Sequence, residues 1–437
     1  MLLTIFKNCV SVVSCRSRLI AVIDHTMTNL AFDEQMMQRA LELARRGLGF
    51  VEPNPPVGAV VVDDHGAIIG EGWHQKFGGP HAEVHALAAA GTRANGATLY
   101  VTLEPCSHFG KTPPCSQAVI QAGIRRVVIG TVDPAKHGSV RGVDELKAAG
   151  IEVDVGILGN DARRLIAPFT RLMTTGLPWV HLKWAMTLDG KIATASGSSQ
   201  WITNPTSRAV VHQLRGRMDA IVTGIGTVLK DDPRLTSRIA DGSPQRIATR
   251  VVLDSQCRLP LDSQLVRTVG EAAVIVFTTE SASVERIEAL RSAGVEVLIV
   301  ETGSDQRLDV NSVMLELGRR RMTNLFVEAG SRILGGLFDQ RLVNEVHAFI
   351  APAISGGGDA PSPIGGRGSA QCQMHFGLNR RRFRSWTAIF ICTDWFLPRL
   401  WATDPHWKSF FGTGVKKPKG RRNVPSVEFS LNSSTHH

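Results

Sequence analysis

The feature that most constrains the fold is a set of four polar residues, His81, Glu83, Cys106 and Cys115, each near the start of a predicted helix or the end of a predicted strand. Residues 97–103 form a predicted buried strand that ends just before Cys106. His81 and Cys115 each open an apolar helical stretch, where unpaired N–H groups favour an anionic group such as a thiolate. Strands that alternate with helices in this way predict a three-layer α/β sheet.

These four residues are the components of a hydrolytic zinc site. One imidazole and two thiolates leave the fourth tetrahedral position open for water, which is the arrangement of catalytic rather than structural zinc. Bound zinc lowers the pKa of that water to roughly 7, and Glu83 follows His81 closely enough to carry protons. His-x-Glu followed by Pro-Cys-x-x-Cys is the signature of zinc deaminases, although eight residues separate Cys106 from Cys115 here. The alternative is that His81 caps a helix and the two cysteines are core residues, but this leaves the order of the four residues along the chain unexplained.

Other polar residues near this motif have two interpretations each. His85 lies four residues after His81, as in zinc peptidases, but no glutamate directly follows the first histidine. His85 is therefore expected either to support the metal ligands from behind or to serve in packing. His108 and Lys111, between the two cysteines, either meet an anionic substrate such as a phosphate or belong to a solvated loop. Asn54 either hydrogen-bonds a pyrimidine or only forms a turn.

The charge distribution argues against a nucleic-acid substrate. The 437 residues suffice for two domains, and the formal net charge of +10 comes from the two ends. Residues 369–437 carry 11 basic and 3 acidic side chains, whereas residues 27–368 carry 35 of each sign. Because counterion release requires clustered Lys and Arg on a binding face, a nucleic-acid binder or polynucleotide deaminase is the remote alternative. The basic tract 416–422 is accordingly expected to be a solvated tail.

Cysteine usage and hydropathy indicate a reducing compartment and no membrane span. The seven scattered cysteines form no regular framework, which favours free thiols and metal ligands over disulfides. No apolar run reaches the ~20 residues that span a bilayer. We expect a cytoplasmic protein. Residues 1–26, poor in acids, either form a transit peptide for organellar import or precede a true start at Met27.

A second alternating region follows a predicted connector at residues 154–177. Its strands are expected at residues 180–186, 220–224, 251–254, 273–278, 295–301, 325–328 and 345–350. Gly224-Ile-Gly226 after a strand is a partial dinucleotide fingerprint that lacks the third glycine. Glu328-Ala-Gly330 comes directly before a predicted helix at Ser331, and a helix start favours an anion. These features indicate an α/β domain whose backbone N–H groups can contact phosphate.

Six segments together resemble one enzyme family. Those of the first region are Pro53-Asn-Pro-Pro-Val-Gly58, His81-Ala-Glu-Val-His-Ala86 and Thr102-Leu-Glu-Pro-Cys-Ser-His-Phe-Gly-Lys-Thr-Pro-Pro-Cys115. Those of the second region are Lys183-Trp-Ala-Met-Thr-Leu-Asp-Gly190, Ser199-Gln-Trp-Ile-Thr203 and Asp219-Ala-Ile-Val-Thr-Gly-Ile-Gly-Thr-Val-Leu-Lys-Asp-Asp-Pro-Arg-Leu-Thr236. Over residues 30–368 the chain resembles the bifunctional riboflavin-biosynthesis deaminase/reductase family. The long spacing between the cysteines distinguishes that family from cytidine and tRNA-adenosine deaminases.

The resemblance implies a cytidine-deaminase-like three-layer α/β/α domain at residues 27–153 and a dihydrofolate-reductase-like α/β domain at residues 178–368. It implies two consecutive steps on a phosphoribosyl pyrimidine. Zinc-dependent hydrolysis first removes the 2-amino group of 2,5-diamino-6-(5-phosphoribosylamino)pyrimidin-4(3H)-one as ammonia, with the histidine and two cysteines as metal ligands and Glu83 as catalytic proton carrier. NADPH then reduces the ribosyl group to a ribityl chain. A homo-oligomer, expected to be a dimer, is implied as well.

The resemblance also implies two groups of binding residues in the reductase. The group that contacts the cofactor consists of Ala185, Trp201, Thr227, Asp231, Gly330, Ser331 and Gly336. The group that contacts the substrate consists of Ser199, Arg215, Leu235, Arg238 and Glu328, the arginines being suited to its phosphate. Ser255 and Arg258, at the end of a predicted strand, are expected to hold the 2′-phosphate of the cofactor. Packing is the alternative role for Trp201.

The sequence changes character after residue 368. Residues 369–437 contain four of the eight tryptophans and several basic clusters, without helical or strand periodicity. The resemblance implies closing strands here, so we expect a shifted reading frame or an unrelated replacement, with the loss of strands at the sheet edge. The rival hypothesis is therefore a deaminase whose reductase is disabled by this tail.

Overall fold

The computed structural model describes residues 29–109, 113–134, 141–199, 202–239, 242–303, 305–368, 381–386 and 389–395, the last two ranges by their backbone only. The first half begins with helix α1, described over residues 29–45, whose apolar residues Met36, Ala40, Leu43 and Ala44 are buried in the core. Its other elements are β1 (Gly58–Val62), β2 (Ile68–Trp73), α2 (Ala82–Ala90), β3 (Thr98–Leu103), α3 (Cys115–Gln121), β4 (Arg126–Thr131), α4 (Gly142–Ala148), β5 (Glu152–Val155), α5 (Gly159–Leu165) and α6 (Ala167–Thr175).

The first sheet has the strand order β2-β1-β3-β4-β5. β1 is antiparallel to β2 and β3, whereas β3, β4 and β5 run parallel. Every residue of β1 and β3 is buried because helices cover both faces of the sheet. Val61 and Leu99 pack under α2 and α3, and Val60 and Tyr100 pack under α1 and α5. The predicted three-layer α/β/α arrangement is confirmed.

The structure divides the predicted connector between the two halves of the chain. α5 packs into the first core through Ala162, and Ile166 after it is buried in the same half. α6 is tied to the second half instead, since Arg171 donates to the carbonyl oxygens of Pro178 and Leu342 at 2.9 and 3.5 Å. Of the two helices in the predicted connector, α5 therefore packs with the first half and α6 with the second.

The second half is built on a nine-stranded sheet of order β10-β9-β8-β7-β11-β6-β12-β14-β13, parallel from β10 to β12. Its elements before residue 352 are β6 (Trp179–Thr187), α7 (Pro205–Arg215), β7 (Ala220–Gly224), α8 (Ile225–Asp231), β8 (Thr249–Leu253), α9 (Gln264–Arg267), β9 (Val274–Thr278), α10 (Val284–Ser292), β10 (Glu296–Ile299), α11 (Val310–Arg319), β11 (Asn324–Val327), α12 (Ser331–Asp339) and β12 (Glu345–Ala351). α11 and α12 cover one face, and α8, α9 and α10 the other. None of the described helices is long and apolar enough to cross a membrane.

Two strands follow residue 368, so the expected loss of strands at the sheet edge was wrong. β13 (Arg381–Trp386) and β14 (Ile389–Trp395) form an antiparallel hairpin, and β14 pairs antiparallel with β12 from Glu345↔Trp395 to Ile350↔Phe390. The edge of β12 offers unpaired N–H and C=O groups to any extended segment, and this pairing requires no side-chain periodicity. The extension at residues 1–26, the start at Met27 and the basic tract 416–422 lie outside the described residues.

Arg246, just before β8, connects the two halves. Its Nη2 donates to the carbonyl oxygen of Glu52 at 2.9 Å, and its Nη1 forms an ion pair with Asp219. The Glu52 carboxylate accepts a hydrogen bond from the Gly49 N–H at 3.0 Å, and burial raises the pKa of Glu52. The loop that leads from Glu52 to Asn54 is therefore anchored on the second half of the chain.

Candidate active sites

The first candidate site forms where β3 ends and where α2 and α3 begin. His81 is the N-cap of α2 with an extended backbone (φ −76°, ψ 170°), and Cys115 is the first residue of α3. Cys106 follows shortly after the end of β3. Loops at the carboxyl ends of parallel strands gather at one edge of a sheet, and this places the three side chains together.

The three donor atoms are close enough to share one metal ion. His81 Nδ1 lies 3.2 Å from Cys115 Sγ and 3.6 Å from Cys106 Sγ, and the Cys115 N–H donates to Cys106 Sγ at 3.3 Å. One ring nitrogen and two sulfurs fit zinc, which binds such donors at about 2.0–2.3 Å. The three residues predicted as ligands are therefore brought together, with Cys115 buried and the other two partly buried.

Glu83 lies in the first turn of α2 with 3% of its surface exposed. Burial raises the pKa of its carboxyl to about 7, and a group with such a pKa both accepts and releases protons at neutral pH. The pKa of Cys106 is lowered, chiefly because its sulfur accepts a hydrogen bond from Cys115 and further because it accepts one from His81, while the same contact raises the pKa of Cys115. The arrangement combines a proton carrier with a sulfur that favours the thiolate form that zinc binds.

Helix α2 lies against β2 at a distance that only glycine permits. A Cβ on Gly70 or Gly72 would lie 2.2 or 2.4 Å from a carbonyl oxygen of α2, well inside van der Waals contact. The helix backbone therefore rests on the strand, and this fixes where the first turn presents His81 and Glu83. His85 lies over Gly72 and is not part of the donor cluster, in agreement with a packing role.

The sequence analysis missed His74, which comes directly after β2. Its Nδ1 donates to the Pro80 carbonyl oxygen at 3.0 Å, and its Nε2 accepts from the Asn54 side-chain amide at 3.2 Å. The ring packs edge-on against His81, with centroids 5.2 Å apart, and burial lowers the pKa of His74. A neutral His74 thus orients Asn54 beside the donor cluster. A single histidine after a strand has no spacing that would reveal this role.

The sequence analysis also missed Glu104, the residue two positions before Cys106. Its side chain is buried, and its carboxylate accepts hydrogen bonds from the N–H groups of Asp133 and Val143 at 3.0 and 3.1 Å. Arg141 lies 3.6 Å from the same carboxylate. Glu104 therefore joins the loop that carries a metal ligand to the segment that precedes α4.

The second candidate site is a cavity of about 1620 Å³ at the carboxyl ends of the central strands of the second sheet. All the predicted reductase residues that the structure describes line this cavity. They are Ala185, Ser199, Arg215, Thr227, Asp231, Leu235, Arg238, Ser255, Arg258, Glu328, Gly330, Ser331 and Gly336. Trp201 lies outside the described residues. The parallel sheet thus collects into one place residues that are far apart in the chain.

Glu328 is the centre of a charged cluster in this cavity. Arg215 donates to both carboxylate oxygens, at 2.6 and 3.1 Å, and Lys183 Nζ lies 3.4 Å from Oε2. Burial acts to raise the pKa of Glu328, but Arg215 and Lys183 outweigh it and lower the value to about 2. Arg215 also donates to the Thr236 carbonyl oxygen at 3.2 Å, so three of its five N–H groups are engaged within the protein. Lys183 was not predicted as a site residue.

Two charged residues and a glycine also shape the cavity. Arg258 Nε lies 3.3 Å from an oxygen of the fully buried Asp254, while about half of the Arg258 side chain is exposed. Ser255 lines the cavity directly after β8. A Cβ on Gly224 would lie 2.4 Å from the side chain of Ile333, so glycine lets the starts of α8 and α12 approach each other. The cavity thus offers a guanidinium, a hydroxyl and two helix starts to an anionic group.

Both halves of the chain match known families. Residues 30–131 match the cytidine and deoxycytidylate deaminase zinc-binding region, and residues 178–389 match the RibD C-terminal domain. The riboflavin biosynthesis protein RibD of Aquifex aeolicus is 44% identical over 333 residues, which cover 76% of this chain and 90% of that protein. RibD of Escherichia coli is 44% identical over 334 residues, which cover 74% of this chain and 89% of that protein.

Solved structures show the same two halves in the same order. Acinetobacter baumannii RibD is 34% identical with a TM-score of 0.74, and the match covers 84% of this chain and 99% of that one. The diaminohydroxyphosphoribosylaminopyrimidine deaminase/5-amino-6-(5-phosphoribosylamino)uracil reductase of Thermotoga maritima is 38% identical with a TM-score of 0.71. That match covers 84% of this chain and all of the other.

Proposed function

Because the chain belongs to the RibD family of riboflavin biosynthesis, we propose that it catalyses two reactions, each with the residues of one of the two sites. The family combines a zinc-dependent deaminase with an NADPH-dependent reductase. Matches along about nine tenths of the relatives favour this bifunctional enzyme over a deaminase alone and over a nucleic-acid-binding protein.

One observation carries the assignment of the deaminase site. His81, Cys106 and Cys115 present three donor atoms within 4.8 Å of one another, with the buried Glu83 beside them. We assign the first three as zinc ligands and Glu83 as the catalytic acid and base. The substrate is the phosphoribosyl diaminopyrimidine for which the Thermotoga maritima relative is named.

Glu83 moves the protons of the deamination. Zinc, when bound, supplies a water molecule that is nucleophilic near neutral pH. Glu83 accepts a proton from this water as it attacks the carbon that carries the 2-amino group. It delivers this proton to the ring nitrogen, then accepts the remaining proton from the hydroxyl group that has been added to the carbon and passes it to the amino group, so that the carbonyl forms and ammonia leaves. A carboxylate held in the first turn of α2 serves each transfer without a change of conformation.

We assign recognition of the pyrimidine to Asn54 and of the phosphate to the loop between the cysteines. With its amide nitrogen bonded to His74, Asn54 offers its carbonyl oxygen to a ring N–H or amino group. His108 lies in that loop and is suited to the phosphate, as is Lys111, which lies outside the described residues.

In the reductase cavity, the charged cluster aligns the opened ribosyl group. NADPH, when bound, supplies the hydride that C1′ receives. The low pKa of Glu328 keeps it ionised, so its oxygens accept hydrogen bonds from sugar hydroxyl groups. Because Arg215 is engaged with Glu328 and Thr236, we assign the substrate phosphate to Arg238, which lines the same cavity.

The remaining predicted residues are assigned in the same cavity. We propose that Ser199 and Leu235 contact the substrate and that the cofactor is contacted by Ala185, Trp201, Thr227, Asp231, Gly330, Ser331 and Gly336. Ser255 and Arg258 hold its 2′-phosphate, which needs a nearby positive charge.

A dimer and a reducing compartment complete the proposal. The dimer rests on the family resemblance alone and is measured by light scattering of the full chain. Because zinc binds thiolates and not a disulfide, Cys106 and Cys115 must stay reduced, which suits the cytoplasm.

The experiment is to assay both half-reactions on the full chain, with bound zinc quantified. Cys106→Ser should abolish deamination and lower the zinc content, while reduction of the deaminated intermediate continues. Cys257→Ser removes a buried cysteine of the other half and is the matched control. Deamination that persists in Cys106→Ser would refute the assignment.

A further inference from the structure

A second cluster of metal-binding residue types lies in the reductase half. It consists of His181 near the start of β6 and of Glu345 and His347 at the start of β12. The two strands are parallel neighbours, and Glu345 is in register with His181. The substrate and cofactor cavity occupies the carboxyl ends of the sheet, as Ala185 on β6 shows. The cluster is therefore separate from both active sites.

The donor atoms of this cluster are as close together as the ligands of one metal ion. His181 Nδ1 lies 3.3 Å from Glu345 Oε2 and 3.4 Å from His347 Nε2. His347 Nε2 lies 3.2 Å from Glu345 Oε1. Two ligands that each lie about 2.0–2.1 Å from a tetrahedral zinc are about 3.3 Å apart. The backbone thus already holds the side chains at the separations that a shared ion requires.

The hydrogen bonding of His181 turns its second ring nitrogen towards the cluster. Its Nε2 lies 3.2 Å from Asn324 Oδ1, and because an amide oxygen only accepts, Nε2 carries a hydrogen. Nδ1 then faces Glu345 and His347. Metal-binding histidines have this arrangement, in which the second nitrogen donates to an oxygen outside the metal shell. A metal ion bound between Nδ1 and the carboxylate would satisfy both groups.

The surroundings of the cluster favour a positive charge beside Glu345. His181 and His347 are 8% and 5% exposed, and the His347 ring packs against Phe326 with centroids 5.9 Å apart. A carboxylate in such surroundings is costly unless a positive charge neutralises it. The Glu345 side chain keeps 14% exposure, which leaves a path for an ion from solvent.

We propose that His181, Glu345 and His347 form a structural site for a divalent transition-metal ion of the zinc class. Two imidazoles and a carboxylate are a donor set that zinc prefers, and water completes the coordination. The ion joins β6 to β12, the strand that also pairs with β14. It stabilises this part of the sheet and takes part in neither reaction.

The first test is the zinc content of the full chain after dialysis against zinc and removal of excess ion. We expect two zinc ions per wild-type chain, and one in each of His347→Gln, Glu345→Gln and Cys106→Ser. The double variant Cys106→Ser/His347→Gln should bind none. His65→Gln, which alters an exposed histidine of the other half, is the matched control and should keep both ions.

The second test measures thermal stability with and without zinc, so that a variant that folds poorly is not mistaken for one that has lost the metal site. Zinc should raise the melting temperature of the reductase half in Cys106→Ser and leave Cys106→Ser/His347→Gln unchanged. One zinc ion in the wild type with none in Cys106→Ser would overturn the second site and leave the deaminase assignment intact. Two ions in both the wild type and His347→Gln would overturn it as well.

Discussion

The two active sites of this chain are assembled in opposite ways. The proposed zinc site takes its assigned ligands and its assigned proton carrier from one stretch, residues 81–115, and places them near the starts of two helices. The reductase cavity takes its lining from residues 183–367 and encloses about 1620 Å³. A site made from one short stretch depends on a few atoms. In a site whose residues come from many strands of a sheet, the binding energy is shared among many residues. Substitutions should therefore cost most in the first site and progressively less in the second.

The largest effect is expected for Glu83→Gln. An amide cannot accept and release the protons of the reaction, so kcat of deamination should fall about 10³-fold, while zinc content and reduction of the deaminated intermediate stay unchanged. Steady-state kinetics of both half-reactions measure this. Glu34→Gln, on the exposed side of α1, is the control. A loss smaller than tenfold would show that the zinc site does not depend on this carboxyl.

A smaller loss is expected for Glu328→Gln in the reductase cavity. The substitution removes charge-assisted hydrogen bonds worth about 1.5–3 kcal/mol, which is about 100-fold in kcat/KM of reduction. Deamination by the same protein should be unchanged. If reduction fell as far as deamination does in Glu83→Gln, the contrast between the two sites would not hold.

The same carboxylate should make the stability of the reductase half pH-dependent. The pKa of Glu328 is lowered to about 2, below the unfolded value, so its contribution is present at neutral pH and is lost as the pH falls from about 5 towards about 2. Urea unfolding of the wild type and of Glu328→Gln should show that the difference in their free energies of unfolding narrows over this range. A difference that stays constant down to about pH 3 would contradict the assignment.

A tenfold effect is expected for Arg258→Ala on the cofactor. If its guanidinium holds the 2′-phosphate, the KM for NADPH should rise about tenfold, while the KM for NADH, which lacks this phosphate, should not change. Arg319→Ala, which alters an exposed arginine of α11, is the control. An equal rise for both cofactors would assign Arg258 a structural role only.

The smallest effect is expected for Arg246→Ala, and it tests whether the two sites are independent. Loss of the hydrogen bond to the Glu52 carbonyl oxygen releases the loop that carries Asn54. We expect the KM of deamination to rise about threefold, the equivalent of a fraction of one hydrogen bond, with kcat unchanged. The KM of reduction is the internal control. A change in reduction alone would mean that Arg246 serves only its own half.

The elements that have strong local signals were predictable from the sequence. β7 (Ala220–Gly224) has the predicted bounds, because it is a short apolar run that ends at a glycine. The clustering of His81, Cys106 and Cys115 was predictable because their spacing and their position beside helix starts are both local. The cavity residues were named from the resemblance, and the fold supplies the reason that they meet.

The features that depend on distant contacts could not be predicted. Arg246 and Glu52 are 194 positions apart, and the bond between them has no counterpart in either local sequence. His74 and Glu104 act through hydrogen bonds to other loops. The hairpin of β13 and β14 forms on the edge of β12, and its basic, Trp-containing sequence gave no alternating pattern.

The division between α5 and α6 determines how the two activities can be carried by separate polypeptides. A deaminase fragment that ended at residue 153 would leave uncovered the sheet surface on which Ala162 packs. A reductase fragment that began at residue 178 would lack α6, whose Phe169 and Leu172 are buried. We therefore expect separate polypeptides to fold best when the deaminase fragment keeps α5 and the reductase fragment keeps α6.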